Sequence, residues 1–138
     1  MPTLKPQIAA ALDLADLKPG QMLLELGCGD GRVLRAAAKR GVHGVGYELN
    51  PILVVVARLY TWRYRKQVKI VWGDFWRAEW PRTDAVFVFL LDKYMEKLDK
   101  TIVQKQSGHK VKLVSFAFQI PGKKPVKQQS GLFLYQDS

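Results

Sequence analysis

Short apolar runs alternate along this chain with longer segments in which apolar residues recur at helical spacing. The apolar runs predict strands over residues 22–26, 42–48, 68–72, 84–90, 110–118 and 131–135. The segments between them predict helices over residues 5–17, 31–40, 51–66 and 93–106. Strands that alternate with helices favour a parallel sheet with helices on both faces. The predicted fold is therefore α/β, with a mostly parallel sheet of about six strands.

The ends of two elements carry recognisable signals. Gly41 closes the helix over 31–40, and Asn50 caps the helix that Pro51 begins. The last strand has no helix before it, so we expect it to run antiparallel at the edge of a Rossmann-like sheet. In the segment 51–66, the apolar side chains at helical spacing are predicted to lie in the core: Leu53, Ala57, Tyr60 and Tyr64.

The apolar run that ends at Leu26 leads into glycines at alternate positions, Gly27, Gly29 and Gly31. Glycine adopts positive φ and lets a ligand approach the backbone with no Cβ in the way. A helix-forming segment follows at once, and the amides of its first turn point at whatever is bound. We interpret this stretch as a strand, a tight turn and a helix N-terminus that together bind a ligand.

The charges beside this turn indicate which ligand it binds. The dinucleotide fingerprint is G-x-G-x-x-G, whereas here the third glycine comes one residue early and Arg32 follows it. Glu25 and Asp30 would repel a pyrophosphate but suit a ligand that carries an ammonium and a sulfonium. S-adenosylmethionine is such a ligand. The alternative interpretation is a structural turn that binds nothing.

Two further carboxylates end predicted strands. Glu48 ends the second strand, where it can accept hydrogen bonds from both hydroxyls of a ribose. Asp74 ends the third, where it can accept from the adenine amine while Phe75 lies against the ring, although Gly73-Asp74 also suits a plain turn. Because the carboxyl ends of parallel strands lie at one edge of the sheet, these residues are expected to meet there.

The turn has the pattern acidic-x-Gly-x-Gly-x-Gly and so resembles the first motif of the class I, seven-stranded S-adenosylmethionine-dependent methyltransferases. Two residues that follow the fourth strand, Asp92 and Tyr94, are the candidate catalytic residues that orient an incoming amine. The resemblance, together with the positions of the strand ends, predicts that S-adenosyl-L-methionine contacts Glu25, Gly27, Cys28, Gly29, Asp30, Gly31, Glu48, Leu49, Asn50, Gly73, Asp74, Phe75 and Leu90.

Segments along nearly the whole chain narrow this resemblance to one family of small protein-lysine methyltransferases. They are residues 2–3, 17–20, 25–32, 46–51, 58, 62–63 and 89–91. The family includes the protein-lysine methyltransferase of the mitochondrial ATP synthase c subunit and short archaeal enzymes that methylate lysines on many proteins. It implies a protein substrate with an acceptor lysine.

Two alternatives to the lysine methyltransferase stay open. Enzymes that methylate bases commonly carry Asp/Asn-Pro-Pro-Tyr after the fourth strand, whereas this chain has Phe-Leu-Leu-Asp-Lys-Tyr at 89–94. This difference argues against an RNA or DNA methyltransferase but leaves it as the second enzyme hypothesis. The third hypothesis is a basic S-adenosylmethionine-binding module that has no activity.

Composition sets limits on domains and location. A length of 138 residues predicts a single domain, 1–138, in which residues 1–20 form a helical segment over the entrance to the cofactor site. No apolar run approaches the ~20 residues that span a bilayer, so no membrane partner is expected. The first residues lack the apolar region of a signal peptide, and the single cysteine excludes an internal disulfide. A cytoplasmic protein is expected.

Basic residues outnumber acidic residues by 22 to 12, which gives a formal charge of +10. Such a charge favours anionic partners, and we expect at most weak, non-specific binding of nucleic acid. Nine of the basic residues follow Asp92, and a second group is Arg58, Arg63, Arg65, Lys66 and Lys69. His43 and His109 have no cysteine or histidine at ligand spacing, so no metal site is predicted.

Overall fold

A computed structural model of the protein describes residues 5–88, 92–106, 110–116, 127–129 and 132–137. The helices are α1 (Lys5–Ala15), α2 (Arg32–Lys39), α3 (Pro51–Tyr60) and α4 (Asp92–Lys105), with a 3-10 turn (Trp62–Tyr64) after α3. The strands are β1 (Met22–Leu26), β2 (His43–Glu48), β3 (Val68–Trp72), β4 (Ala85–Val88), β5 (Val111–Phe116), β6 (Lys127–Gln129) and β7 (Leu132–Asp137).

The described strands form a seven-stranded sheet in the order β3-β2-β1-β4-β5-β7-β6. Strands β1 to β5 are parallel, and β7 runs antiparallel to both β5 and β6. The predicted α/β class, the mostly parallel sheet and the antiparallel last strand are therefore confirmed.

One detail of the predicted sheet is wrong, because the last strand is not at the edge. The short strand β6, which the sequence pattern missed, pairs with β7 and takes the edge position. Its sequence is Lys-Gln-Gln, which has no apolar alternation. Edge strands are often short and polar, which blunts unwanted pairing with other chains but also removes the hydrophobic pattern by which strands are recognised.

The sheet is buried on both faces, as expected from apolar runs in its central strands. On one face, the core contains Leu23 and Phe87 together with apolar side chains from α1, α2 and α3. On the other face, Leu24 and Val86 pack with Leu98 of α4. Parallel strands that are covered on both faces are fully apolar rather than alternating, and β4, with four consecutive buried residues, has this pattern.

Two glycines of β2 let α2 lie unusually close to the sheet. A Cβ at Gly44 would lie 2.6 Å from Leu34 Cδ2, and one at Gly46 would lie 2.6 Å from Leu34 Cδ1 and 2.8 Å from Cys28 Cβ. At the start of α2, a Cβ at Gly31 would lie 3.1 Å from the methyl group of Thr61. Close packing therefore fixes the position of α2 in two places, against β2 and, at the start of the helix, against Thr61.

Helix α3 is shorter than predicted, because it ends at Tyr60 and gives way to a 3-10 turn. The Thr61 hydroxyl donates to the carbonyl of Ala57 at 2.7 Å at this end. Tyr60 was predicted in the core but is exposed, whereas Val54 and Ala57 are buried. The helix lies over β2 and the edge strand β3, so the sheet covers only a narrow strip of its surface.

Helix α1 packs on α2 and on the β5 side of the sheet. It ends at Ala15, whose carbonyl accepts a hydrogen bond from Lys112 Nζ at 2.6 Å. Ile8 and Leu12 line a cavity of about 650 Å³ together with Asp30, which lies in the glycine turn. In the described parts of the chain, no helix has the length and apolar character needed to cross a bilayer.

The close approach of α2 to β2 predicts that Gly46→Ala destabilises the fold. The new methyl group would collide with Leu34 and Cys28, both buried, so we expect the free energy of unfolding to fall by about 1–3 kcal/mol. Urea unfolding monitored by circular dichroism measures this. Gly73→Ala is the matched control, because a Cβ there meets no atom within 4 Å. Equal stability of the two variants would contradict the packing argument.

Candidate active site

The glycine turn between β1 and α2 is held by backbone hydrogen bonds to the neighbouring strand. Gly27 and Cys28 both donate their amides to the carbonyl of Tyr47, at 2.9 and 3.0 Å. Gly27, Gly29 and Gly31 have φ of 76°, 57° and 85°, a region that side chains rarely adopt. A Cβ at Gly27 or Gly29 would meet nothing within 4 Å, so this face of the turn is open to a ligand.

Glu48, at the end of β2, connects three segments of the site. Its Oε1 accepts from the amide of Gly29 at 2.9 Å, and its Oε2 accepts from the amide of Asn50 at 2.9 Å. Its backbone carbonyl accepts from the amide of Gly73 at 3.1 Å. The residue therefore brings the glycine turn, the start of α3 and the end of β3 to one place, as the parallel topology predicted.

The residues that follow Glu48 serve the start of α3. The Asn50 side chain accepts hydrogen bonds from the amides of Ile52 and Leu53, which confirms the predicted N-cap. Leu49 is exposed beside the site, and its carbonyl accepts from Trp72 Nε1 at 3.0 Å. Cofactor contacts at Leu49 and Asn50 stay predictions.

Glu25 is the buried carboxylate of the site. Its Oε1 is buried and has no hydrogen-bond partner among the described residues. Burial raises the pKa of Glu25 well above its usual value, and the nearby carboxylates of Asp30 and Glu48 raise it further. A buried carboxyl group without a partner is costly, so the site favours a donor or a cation beside Glu25.

Asp30 and Cys28 have different roles in the turn. Asp30 accepts from Arg32 Nε at 2.7 Å and from the Arg32 amide at 3.2 Å, so it fixes the first turn of α2. Burial raises the pKa of the Cys28 thiol, and Glu25 and Glu48 raise it further. The thiol is therefore neutral, which argues against a nucleophile, and contact of Cys28 with the cofactor stays a prediction.

The segment after β3 folds into a turn built on Asp74. Its Oδ1 accepts from the amide of Trp76 at 2.9 Å, and Trp80 Nε1 donates to the carbonyl of Phe75 at 2.8 Å. The rings of Phe75 and Trp76 are in contact, with centroids 4.6 Å apart. The carboxylate thus serves the plain turn that was its alternative interpretation, and contact of Asp74 or Phe75 with adenine stays a prediction.

The candidate catalytic residues lie at the start of α4, the helix that follows β4 in the chain. Asp92 is the first residue of α4 and Tyr94 lies in its first turn, so the backbone of both follows β4 at the carboxyl edge of the sheet. Their side chains, and Leu90, lie outside the described residues. Farther along α4, Lys97 Nζ lies 4.4 Å from the centroid of the Trp76 ring.

Sequence reasoning missed the residues that act through the backbone. Tyr47 holds the glycine turn with its carbonyl, and no side-chain pattern reports such a role. Gly44 and Gly46 could have been found, because glycines at alternate positions of a strand indicate close approach of another element. Among the residues that the structure describes, no group of His, Cys, Asp and Glu could hold a metal ion.

Comparison with known proteins identifies the family. A sequence model of the ANTKMT methyltransferase domain matches residues 25–127, from the acid of the glycine turn to β6. The chain belongs to this family of methyltransferase domains. The small-family resemblance that the motifs indicated is thereby confirmed.

Two curated relatives carry lysine in their names. The chain is 36% identical over 124 residues to an adenine nucleotide translocase lysine N-methyltransferase of Mus musculus, and the match covers 87% of this chain and 53% of the relative. It is 30% identical over 129 residues to a protein-lysine N-methyltransferase of Saccharolobus islandicus, with 91% of this chain and 80% of the relative covered. The chain thus spans about half the length of the animal relative.

A solved structure with similar identity is described as an RNA methyltransferase of Salinibacter ruber in complex with S-adenosyl-L-homocysteine. It shares 30% identity and a TM-score of 0.85, and the match covers 99% of this chain and 92% of that one. The described fold is therefore that of a methyltransferase domain, and the two kinds of relative differ in the acceptor that their names give.

The pKa of Glu25 predicts the pH dependence of stability. Because the pKa is raised in the fold, Glu25 stabilises the protein fully at pH below its usual value of 4.5, and this stabilisation is lost as pH rises through the folded-state pKa. Glu25→Gln removes the ionisation. The variant should therefore gain stability relative to the wild type as pH rises from 4 to 8, in urea unfolding without ligand. Exposed Glu79→Gln is the control; equal pH profiles for Glu25→Gln and the wild type would contradict the prediction.

Proposed function

We propose that this chain is an S-adenosylmethionine-dependent methyltransferase that acts on lysine side chains of proteins. The proposed cofactor rests on the open glycine turn and on the buried Oε1 of Glu25, which has no hydrogen-bond partner among the described residues. The choice of lysine as the methyl acceptor rests on membership of a family whose curated relatives are named for lysine methylation.

The residues of the site fit S-adenosylmethionine. Three acidic residues lie around the turn, and one of them, Asp30, pairs with Arg32. Glu25 and Glu48 form no ion pair with a described residue, which suits a ligand with an ammonium and a sulfonium. The open faces of Gly27 and Gly29 leave room for the ligand against the backbone. The Glu48 carboxylate has about four acceptor positions, so it can accept from two ribose hydroxyls while it keeps its bonds to the two backbone amides.

The chain itself positions the reactants. When bound, S-adenosylmethionine would supply a methyl group on a sulfonium sulfur: a neutral amine would attack the methyl carbon in line, the neutral thioether would leave, and the methylated ammonium would lose its proton to solvent. Alignment of two reactants can contribute up to about 7–11 kcal/mol, so the protein needs no general base if the amine arrives neutral. The half-buried rings of Phe75 and Trp76 favour a neutral amine, because a partly apolar surface lowers the pKa of lysine.

Asp92 and Tyr94 are proposed to orient the amine from the first turn of α4. What supports them is the position of their backbone in the first turn of α4, the helix that follows β4 and whose Lys97 lies over the Trp76 ring. A carboxylate at Asp92 would raise the pKa of an incoming lysine while it improves capture of the charged amine. These two effects oppose each other, so Asp92 is expected to affect binding of the acceptor more than the chemical step.

RNA is the second candidate acceptor, and two observations favour it. The Salinibacter ruber structure is described as an RNA methyltransferase and matches nearly the whole chain. The net charge of +10 also favours an anionic substrate. The segment at 89–94 argues against an RNA acceptor, because it lacks the Asp/Asn-Pro-Pro-Tyr pattern of base-methylating enzymes.

A single domain over residues 1–138 and a cytoplasmic location are also proposals. Limited proteolysis tests the first, and cell fractionation tests the second.

Glu48→Ala is predicted to weaken S-adenosylmethionine binding at least tenfold. Charge-assisted hydrogen bonds are worth about 1.5–3 kcal/mol each, and loss of one suffices for a tenfold change. The variant also loses the bond that holds the Gly29 amide, which acts in the same direction. Titration calorimetry measures the affinity. Glu79→Ala, an exposed acid outside the turn, is the control, and an unchanged affinity for Glu48→Ala would remove Glu48 from the site.

The acceptor can be identified by the label that the enzyme transfers. With labelled S-adenosylmethionine and cell lysate, we expect label that protease releases and nuclease does not, and that amino-acid analysis finds on lysine. With a peptide identified in this way, the logarithm of the single-turnover rate should rise with pH with a slope near one until the pKa of the bound amine is reached. The reason is that free lysine has a pKa of ~10.4 and only the neutral amine attacks. Arginine in place of the acceptor should abolish transfer, because its guanidinium stays protonated.

Two outcomes separate the acceptor from the cofactor proposal. If nuclease releases the label, the acceptor is RNA or DNA and not lysine, and the proposed methyltransferase activity still stands. Binding of S-adenosylmethionine without transfer to any lysate fraction would favour an inactive binding module.

A further inference from the structure

Helix α3 is apolar on both of its faces. Val54 and Ala57 face the sheet, whereas Ile52, Val55, Val56 and Leu59 lie at positions i, i+3, i+4 and i+7 on the opposite side. Ile52 is 73% exposed and Leu59 is 71% exposed. We call these four residues the α3 stripe. Polar side chains normally occupy such positions on a surface helix, so an apolar stripe there indicates an interaction surface.

Exposed aromatic side chains lie near both ends of the helix, Trp62 after its C-terminus and Trp72 beside Leu49, which precedes its N-terminus. Trp62, in the 3-10 turn, is 60% exposed, and the Arg65 guanidinium lies 4.6 Å from its ring centroid. Trp72, at the end of the edge strand β3, is also exposed. Of the nine large apolar side chains exposed among the described residues, eight lie within residues 49–72. The exposed apolar surface is therefore concentrated in one part of the molecule.

The charge of this region is of one sign. Residues 49–73 contain five basic residues, Arg58, Arg63, Arg65, Lys66 and Lys69, and no acidic residue. All five are exposed, and none forms an ion pair with another described residue. A second copy of the chain would bring two such surfaces together with no carboxylate between residues 49 and 73 on either side. This charge opposes a symmetric dimer.

We propose that the α3 stripe and Trp62 bind the surface of an anionic membrane. A bilayer surface combines acyl chains, which accept apolar side chains, with headgroups whose negative charge attracts exposed Arg and Lys. Tryptophan prefers the boundary between these two layers. Nucleic acid is anionic but offers no aliphatic layer to cover the stripe. The sequence analysis expected no membrane partner because no apolar run is long enough to span a bilayer. Binding to the surface of a membrane needs no such run, so the proposal departs from that expectation.

Sedimentation of the full chain with lipid vesicles tests the proposal. We expect binding to vesicles that contain about 30% phosphatidylserine and weak binding to phosphatidylcholine alone, with release as salt rises from about 0.1 to 0.5 M. Ile52→Asn with Leu59→Asn should weaken binding at least tenfold. Val103→Asn is the matched control, because Val103 is an exposed valine, 47% accessible, on α4. Its binding should equal that of the wild type.

The charge contribution has its own matched pair. Lys66→Gln and Lys110→Gln each remove one exposed positive charge that has no ion pair among the described residues. Lys66 follows the 3-10 turn that contains Trp62, whereas Lys110 precedes β5, three strands away from β2 in the sheet. Because a basic residue near an anionic surface contributes about 1 kcal/mol, Lys66→Gln should weaken binding about fivefold and Lys110→Gln should leave it unchanged. Thermal unfolding and S-adenosylmethionine binding check that each variant folds.

Three results would overturn the proposal. The first is no sedimentation of the wild type with anionic vesicles. The second is equal loss of binding in Val103→Asn and in the stripe variant, which would place the contact elsewhere. The third is a dimer in analytical ultracentrifugation that the stripe variant dissociates, since a second copy would then cover the stripe. None of these results depends on the acceptor of the methyl group, so they leave the proposed activity untouched.

Discussion

The interactions of Glu48 with three backbone segments are the constraint on which the site depends. The ends of parallel strands leave amides without partners in the sheet, and such groups must be satisfied when they are even partly buried. Glu48 satisfies those of Gly29 and Asn50 with one carboxylate and that of Gly73 with its carbonyl. One residue thereby determines where the glycine turn, the first turn of α3 and the end of β3 lie relative to one another.

This arrangement requires α2 to lie close to β2. Gly44 and Gly46 provide the space that Leu34 occupies, and Gly31 provides space beside Thr61 at the start of the helix. Larger residues at these positions would move α2 outward and take the glycine turn with it. Core packing therefore determines the geometry of the site. The glycines of β2 contribute to the site indirectly, because they set the position of α2 and of the glycine turn before it.

The balance of charge differs between the site and the rest of the molecule. The chain carries an excess of basic residues, yet Glu25, Asp30 and Glu48 act on one another closely enough that two of them raise the pKa of the third. A cation in the site relieves this repulsion. The net charge of +10 instead describes the outer surface, where exposed basic residues lie within α3 and in the segment that follows it. Net charge is therefore a guide to partners of the surface and not to the ligand of the site.

Local sequence patterns were enough to predict the alternation of strands and helices, the glycine turn and its acids, and the cap at Asn50. Each is a local pattern of hydrophobicity or backbone preference, which neighbours in the chain suffice to express. Three features emerge only in the folded chain: β6 takes the edge, Tyr60 is exposed, and Glu48 holds the turn. These depend on residues far apart in sequence: pairing with β7, the limited width of the sheet under α3, and hydrogen bonds between the ends of different strands. No local pattern encodes them, because the groups that decide each outcome meet only after the chain has folded.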